Sequence, residues 1–431
     1  MPGGRSVSER TFAPCPDNIF PAFILEYFER AKKVCPRIEG ISGKWEFEDL
    51  IPGLSDFDTR FFFSDDTTAE EWPEISRAVG RIHTGICREY PGRARILEHL
   101  PGINLTWSES LDPLSYYPEF HQWTLYHAPR DKAARFEEYL ALRPWDTADE
   151  LFNLKKFALY YTPYDRGIDP PINLHEFESK YPLHSRFMHY FCPPVQSLVS
   201  LRLKRLVRGK LEAFRLAREL FPRAGMIDRV FDAIERHYEI PGWYDEPELS
   251  RIEIELYGYL RTAWRATVQD VTVIDAEPAD NSRELKAKLG NASGRVLDTL
   301  FDGVKFCRLM MGRLYFYAEE IPHFDSLWLI RHELGRDRIM LYENTFSAFG
   351  FITWGERLSP DEALERCRGE FLTASEIRDV RAYADSFGKP YDPSSIKQFA
   401  VAIADTMGPF QVVLEKLGAI GRKIVQEKGI L

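Results

Sequence analysis

Apolar residues recur at three- and four-residue steps through residues 17–34 (DNIFPAFILEYFERAKKV), and that spacing predicts a helix with Asp17 or Asn18 as its cap. RIEGISGKWEF follows, with Gly40, Ser42 and Gly43 between short apolar pieces, and reads as a strand ending in a tight turn. FDTRFFF is the next strand. TAEEWPEISRAVGRIHTGICREY has helical spacing again, opened by Thr68 and early acids that suit a helix N-terminus. RARILEHLPGINLTWSE gives two short strands on either side of Pro101-Gly102. Residues 110–195 are rich in proline and aromatics, too apolar for a disordered linker, and predict ordered irregular connections. From about residue 195 helical periodicity takes over.

This order predicts an α+β fold: a small mixed-sheet N-terminal domain followed by a large helical C-terminal region. The divisions expected are 1–125 for the α/β domain, 126–275 for a mainly helical domain with the Pro/aromatic-rich connection, and 276–431 for a helical C-terminal domain.

Composition changes the picture in two ways. The 431 residues carry a net charge of −10, which disfavours an extended nucleic acid as main partner. Six cysteines are scattered without a CxxC pair, and no run of apolar residues is long enough to span a bilayer. The N-terminus lacks the apolar stretch of a secretory signal. A cytoplasmic protein without membrane partners is expected.

Candidate chemistry concentrates in SDFDTR, residues 55–60. Residues two apart on a strand share a face, so Asp56 and Asp58 project together with Arg60, while Phe57, Thr59 and Phe61 take the other side. Two carboxylates that close repel, and a hard divalent ion such as Mg²⁺ relieves the repulsion with the oxygen ligands it prefers. Water-facing strand-end aspartates are the plainer alternative. Upstream, Gly43-Lys44 precedes Asp56 with eleven residues between, and a glycine turn lets backbone N–H groups approach phosphate oxygens. Lys44 and Arg60 are themselves candidates for phosphate contact. The stretch LRLKRLVRGK puts Arg202, Arg205 and Arg208 at three-residue steps near Lys204 and Lys210, a basic helix face open to an anion or to solvent.

GISGKWEFEDLIPGLSDFDTRFFF resembles the signature of the polymerase-beta-type nucleotidyltransferase superfamily: a glycine with a small neighbour after the first strand, then an apolar-flanked acid-x-acid preceded by serine, here Ser55. The resemblance spans roughly residues 38–110, about a sixth of the chain, and the helical second half is similar in layout to the antibiotic nucleotidyltransferases of that superfamily. It implies Mg²⁺-dependent transfer of a nucleoside monophosphate, AMP first among them, from a nucleoside triphosphate such as ATP to a small-molecule hydroxyl. Asp56 and Asp58 would hold the metal. Ser42, Gly43, Lys44, Ser55 and Arg60 would contact the nucleotide, and Glu98 in ILEHL would supply a third carboxylate, with Glu109 as the fallback. Where the family has Gly-Ser or Gly-Gly, this chain has Gly43-Lys44, with the serine one position earlier. The alternative is a nucleotidyltransferase-like regulatory or binding module without catalysis. The acceptor, the acceptor-activating base and the oligomeric state are not legible in the sequence.

Overall fold

The computed structural model describes residues 19–44, 55–90, 97, 102–166, 191–223, 225–240, 243–267, 294–318, 337–387 and 396–429. The fold is α+β, with a four-stranded mixed sheet near the N-terminus and helices through most of the rest.

Helix α1 (Phe20–Val34) buries Phe20, Phe23, Ile24, Tyr27, Phe28 and Ala31, the three/four spacing predicted from the sequence, and Lys32 and Lys33 sit in its last turn where the helix dipole favours cations. It starts at Phe20 with Ile19 as an uncapped N-cap; Asp17 and Asn18 lie outside the described residues. Strand β1 (Ile38–Lys44) pairs antiparallel with β2 (Arg60–Phe63) on one side and β4 (Trp123–His127) on the other, and β3 (Asn104–Thr106) adds parallel to β2, in the order β3-β2-β1-β4.

The turn expected at Gly40, Ser42 and Gly43 is instead strand. Ser42 faces Arg60 of β2 and Leu125 of β4, while Gly43 and Lys44 pair with Thr124 and Trp123. Gly43 serves close packing: a Cβ there would lie 2.6 Å from the Phe57 ring and 2.9 Å from that of Tyr126. A turn glycine and a packing glycine look alike in sequence.

Every residue of β2 is buried, because the strand is covered on both faces. Phe61 stacks on Tyr27 of α1 with ring centroids 5.6 Å apart, and Phe63 meets Trp72 of α2 (Trp72–Glu89) at 5.1 Å. Phe62 points the other way, 4.3 Å from Trp107 and 5.9 Å from Trp123. Helix α2 begins four residues after Thr68; the Thr68 backbone N–H donates to Glu71, and Glu71, not Thr68, is the N-cap residue. Of the strand expected in RARILEHL, Leu97 makes a lone parallel bridge to Phe57, and its neighbours lie outside the described residues.

After the short helix α3 (Trp107–Ser110), a 3₁₀ turn (Pro118–Gln122) leads into β4. Helices α4 (Arg130–Leu142), α5 (Thr147–Arg166), α6 (Cys192–Leu203), α7 (Lys210–Leu220), α8 (Gly225–Glu239) and α9 (Glu246–Thr267) follow. Helices α4 and α5 replace part of the irregular connections expected through residues 110–195; α4 buries Phe136 and little else, which leaves no periodic apolar face to read. Phe157 and buried residues of α6 to α9 form one apolar core. Then come α10 (Gly294–Ala318), α11 (Thr345–Trp354), α12 (Pro360–Cys367), α13 (Ala374–Ser386) and α14 (Ile396–Glu427). Helix α10 packs along α2 and α14, so that α1, the sheet and the C-terminal helices share one continuous core. Among the described residues no helix is long and apolar enough to cross a membrane.

Candidate functional site

The two charged residues of β2's leading end and the last residues of β1 come together on one face of the sheet. Ser42 is directly opposite Arg60 in the register, so Ser42, Lys44, Asp58 and Arg60 share the face that also carries Phe62 and Trp123. The 3₁₀ turn then delivers Glu119 onto the same charges. Lys44 Nζ is 2.9 Å from Asp58 Oδ2 and 3.2 Å from Glu119 Oε2. Arg60 Nη2 is 3.0 Å from Glu119 Oε1 and 3.7 Å from Asp58 Oδ2. Two cations and two carboxylates therefore alternate in a closed ring. Asp58 and Glu119 are only 8% and 6% exposed, and Arg60 5%.

The electrostatics follow from that ring. Burial opposes charge on Glu119, but Lys44, Arg60 and Lys156 outweigh it and hold the carboxyl down at about 2. Trp123 Nε1 also donates to Glu119 Oε1 at 3.2 Å, and the Arg60 guanidinium lies over the Trp123 ring. Lys156 of α5 reaches the cluster from the helical side, its ammonium 4.8 Å from the centre of the Phe152 ring. Burial, reinforced by Lys44, pushes Lys156 down to about 8. Lys210, the first residue of α7 and buried, donates from Nζ to Ser55 Oγ at 3.4 Å. Arg208 Nη2 donates to Trp123 O and Thr124 Oγ1, both at 2.9 Å. Among the described residues, the coupled charges Lys44, Arg60 and Lys156 against Asp58 and Glu119 thus lean positive inside a chain that is acidic overall.

Of the sequence-predicted residues, Ser42, Gly43, Lys44, Ser55, Asp58 and Arg60 gather at this place; Asp56 is half-buried beside them, and Glu98 lies outside the described residues. Glu109, the fallback third carboxylate, belongs elsewhere. It sits in α3, closes a capping box with Thr106, and pairs through both oxygens with Arg308 of α10 at 2.8 Å. Burial opposes its charge, yet Arg308 holds it at about 2. Strand β3 brings no acid either. Phe61 pairs with Asn104 and Phe62 with Leu105, so Leu105 of β3 and Ile103 just before it fall on the Asp58 face, both in the apolar core with Phe62.

The basic stripe expected at Arg202, Arg205 and Arg208 is broken. Helix α6 ends at Lys204, whose backbone is left-handed (φ 51°), and its side chain pairs with Glu150. Arg208 and Lys210 then turn to the sheet. Glu119 and Lys156 were missed: PEFHQW and NLKKF carry no spacing that marks either residue.

The donor set fits the expected ligands in chemistry. Ser42 Oγ is fully buried and meets no hydrogen-bond partner among the described residues, on the same face as Lys44 and opposite Arg60, which suits a phosphate oxygen. Asp56 and Asp58 are oxygen ligands of the kind Mg²⁺ takes. Among the described residues, however, no group of three or more His, Cys, Asp or Glu side chains is placed to hold a metal ion, and the second carboxylate at Asp58 is bridged to it by Lys44. Compared with protein-family models, curated proteins and solved structures, the chain matches none.

Proposed function

We propose that the chain binds a nucleoside triphosphate, ATP first, at the Lys44–Asp58–Arg60–Glu119 ring and transfers its nucleoside monophosphate to a small-molecule hydroxyl. The observation that carries this reading is the convergence of Ser42, Lys44, Asp58 and Arg60 on one sheet face, with an unsatisfied buried hydroxyl among excess cations. Lys44 and Arg60 bind and orient phosphate oxygens, Lys156 and Lys210 close the site from the helical side, and Ser42 donates from Oγ. Asp56 and Asp58 would hold Mg²⁺, which supplies charge neutralisation on the phosphates and activation of the attacking oxygen. We assign the protein to the cytoplasm, on the free thiols of Cys35, Cys87, Cys192, Cys307 and Cys367. Its partners on this reading are the nucleotide and a small acceptor, with no extended nucleic acid and no membrane.

The test is calorimetry of each nucleoside triphosphate with Mg²⁺ against the intact chain and against Asp56→Asn and Asp58→Asn, followed by an acceptor screen for pyrophosphate release. Saturable binding that needs metal and both aspartates supports the reading; no triphosphate binding ends it. A second reading, a binding module without turnover, is favoured by Ile103 and Leu105, which leave β3 without a carboxylate on the Asp58 face. Metal-dependent pyrophosphate release is the outcome a module cannot produce.

A further inference from the structure

We infer that Lys44 is an internal counter-ion that keeps free divalent cations out of the Asp58–Glu119 pair, so that metal enters only together with the triphosphate. The inference rests on the nucleotide reading for its second half; its first half concerns the chain and a metal ion alone.

The argument begins with charge balance. Asp58 and Glu119 come from separate segments, and each meets both Lys44 and Arg60 within 3.7 Å. Within the ring two negative and two positive side chains cancel, and Lys156 beside it adds to the positive side. Adding a divalent ion leaves an excess of two positive charges where the dielectric is low, which is costly without a matching anion. The ion can be accommodated at Asp58 only if the Lys44 ammonium leaves, and that ammonium then needs another partner.

The anion that offers such a partner is a polyphosphate. Lys44 stands two residues from Ser42 on the same strand face, and the buried Ser42 Oγ meets no hydrogen-bond partner among the described residues. Arg60 is directly opposite Ser42. A phosphate oxygen arriving there competes with Asp58 for Lys44, satisfies the hydroxyl, and brings the negative charge that a divalent ion requires. Triphosphate and metal therefore enter as one neutralising unit.

The test uses Mn²⁺, the paramagnetic stand-in for Mg²⁺, titrated into the full chain without nucleotide and followed by electron paramagnetic resonance. The wild type is expected to show no saturable binding at millimolar Mn²⁺. Lys44→Met gains affinity by roughly tenfold or more, and Asp58→Asn placed on top removes the gain. Lys44→Arg keeps the charge and keeps the exclusion. A Lys44→Met chain that retains its circular dichroism but gains no Mn²⁺ affinity overturns the inference. So does tight Mn²⁺ binding by the wild type that Asp58→Asn abolishes, a result independent of whether Lys44→Met folds. Failure of the nucleotide reading shows separately, as absence of triphosphate binding by the wild type in calorimetry.

Discussion

Lys210 donates to Ser55 across 155 residues of chain, 3.4 Å from Nζ to Oγ, and so ties the first turn of α7 to the residue that precedes Asp56. The segment that leads into Asp56 is thus tied to the helical side as well as to the sheet. The cations of that helical side, Lys156 and Lys210, are what the aspartate pair lacks in the sequence motif itself.

Asp56 and Asp58 carry the mutational test of the nucleotidyl-transfer reading. On the nucleotidyl-transfer reading, Asp56→Asn lowers turnover at least about a hundredfold, as expected for loss of a group worth several kcal/mol in the transition state. Asp58→Asn loses turnover similarly and also destabilises the fold, by about 2 kcal/mol, because Lys44 and Arg60 keep their charge while losing one of two partners. Paired thermal melts and pyrophosphate assays read both quantities.

Glu119 makes the ring sensitive to acid. Its folded-state pKa of about 2 lies below the ordinary 4.5, so its ion pairs stabilise the fold fully above the ordinary value and lose that contribution as pH falls from there toward 2. The shift corresponds to about 3 kcal/mol at neutral pH. Urea unfolding of Glu119→Gln against wild type from pH 7 to pH 3 is expected to show a gap of that order that closes toward the acid end. A gap unchanged at pH 3 would mean that packing, not charge, is what Glu119 contributes.

Lys156 is expected to trade stability for binding. Burial and Lys44 disfavour its charged form, so the cost is full below about pH 8 and is relieved as pH rises through that value toward 10.5. Lys156→Met therefore stabilises the fold at pH 7 by about 1 kcal/mol, discounted because the side chain is only half-buried, while weakening triphosphate binding roughly tenfold on the nucleotide reading. A variant both less stable and unchanged in binding would mark Lys156 as ordinary scaffold.

Arg308 and Glu109 are a structural clamp. The Arg308 guanidinium lies 3.6 Å from the centre of the Trp72 ring and bridges Glu109 of α3 and Glu415 of α14, joining the sheet domain to the C-terminal helices. Arg308→Met leaves two half-buried carboxylates without their shared cation and costs about 2–4 kcal/mol. Glu109→Gln lowers the melting temperature without changing triphosphate affinity, which a calorimetric titration checks.

Gly43 reports on how closely β1 packs against the aspartate segment. An alanine Cβ would press on the Phe57 and Tyr126 rings, so Gly43→Ala is expected to cost about 2 kcal/mol. The strain falls on Phe57, between Asp56 and Asp58, and triphosphate affinity drops with it. Denaturant unfolding and calorimetry on the same sample separate the two effects.

By itself, the sequence determined that α1 and α2 are helical, because a buried face recurring at three and four residues is legible without neighbours, whereas α4 and α5 lie in the stretch that reads as irregular connections. It also determined that Asp58 and Arg60 share a face, since strand alternation is local. What only the tertiary structure decided is everything set by pairing between distant segments. Gly43 reads as a turn until β4 arrives on its far side and makes β1 an interior strand. Glu109 reads as a spare ligand until Arg308, from a helix some two hundred residues on, claims both its oxygens. Glu119 and Lys156 carry no local mark at all, and become part of the site because the 3₁₀ turn and α5 fold onto the end of the sheet, where burial makes every charge answer to its neighbours.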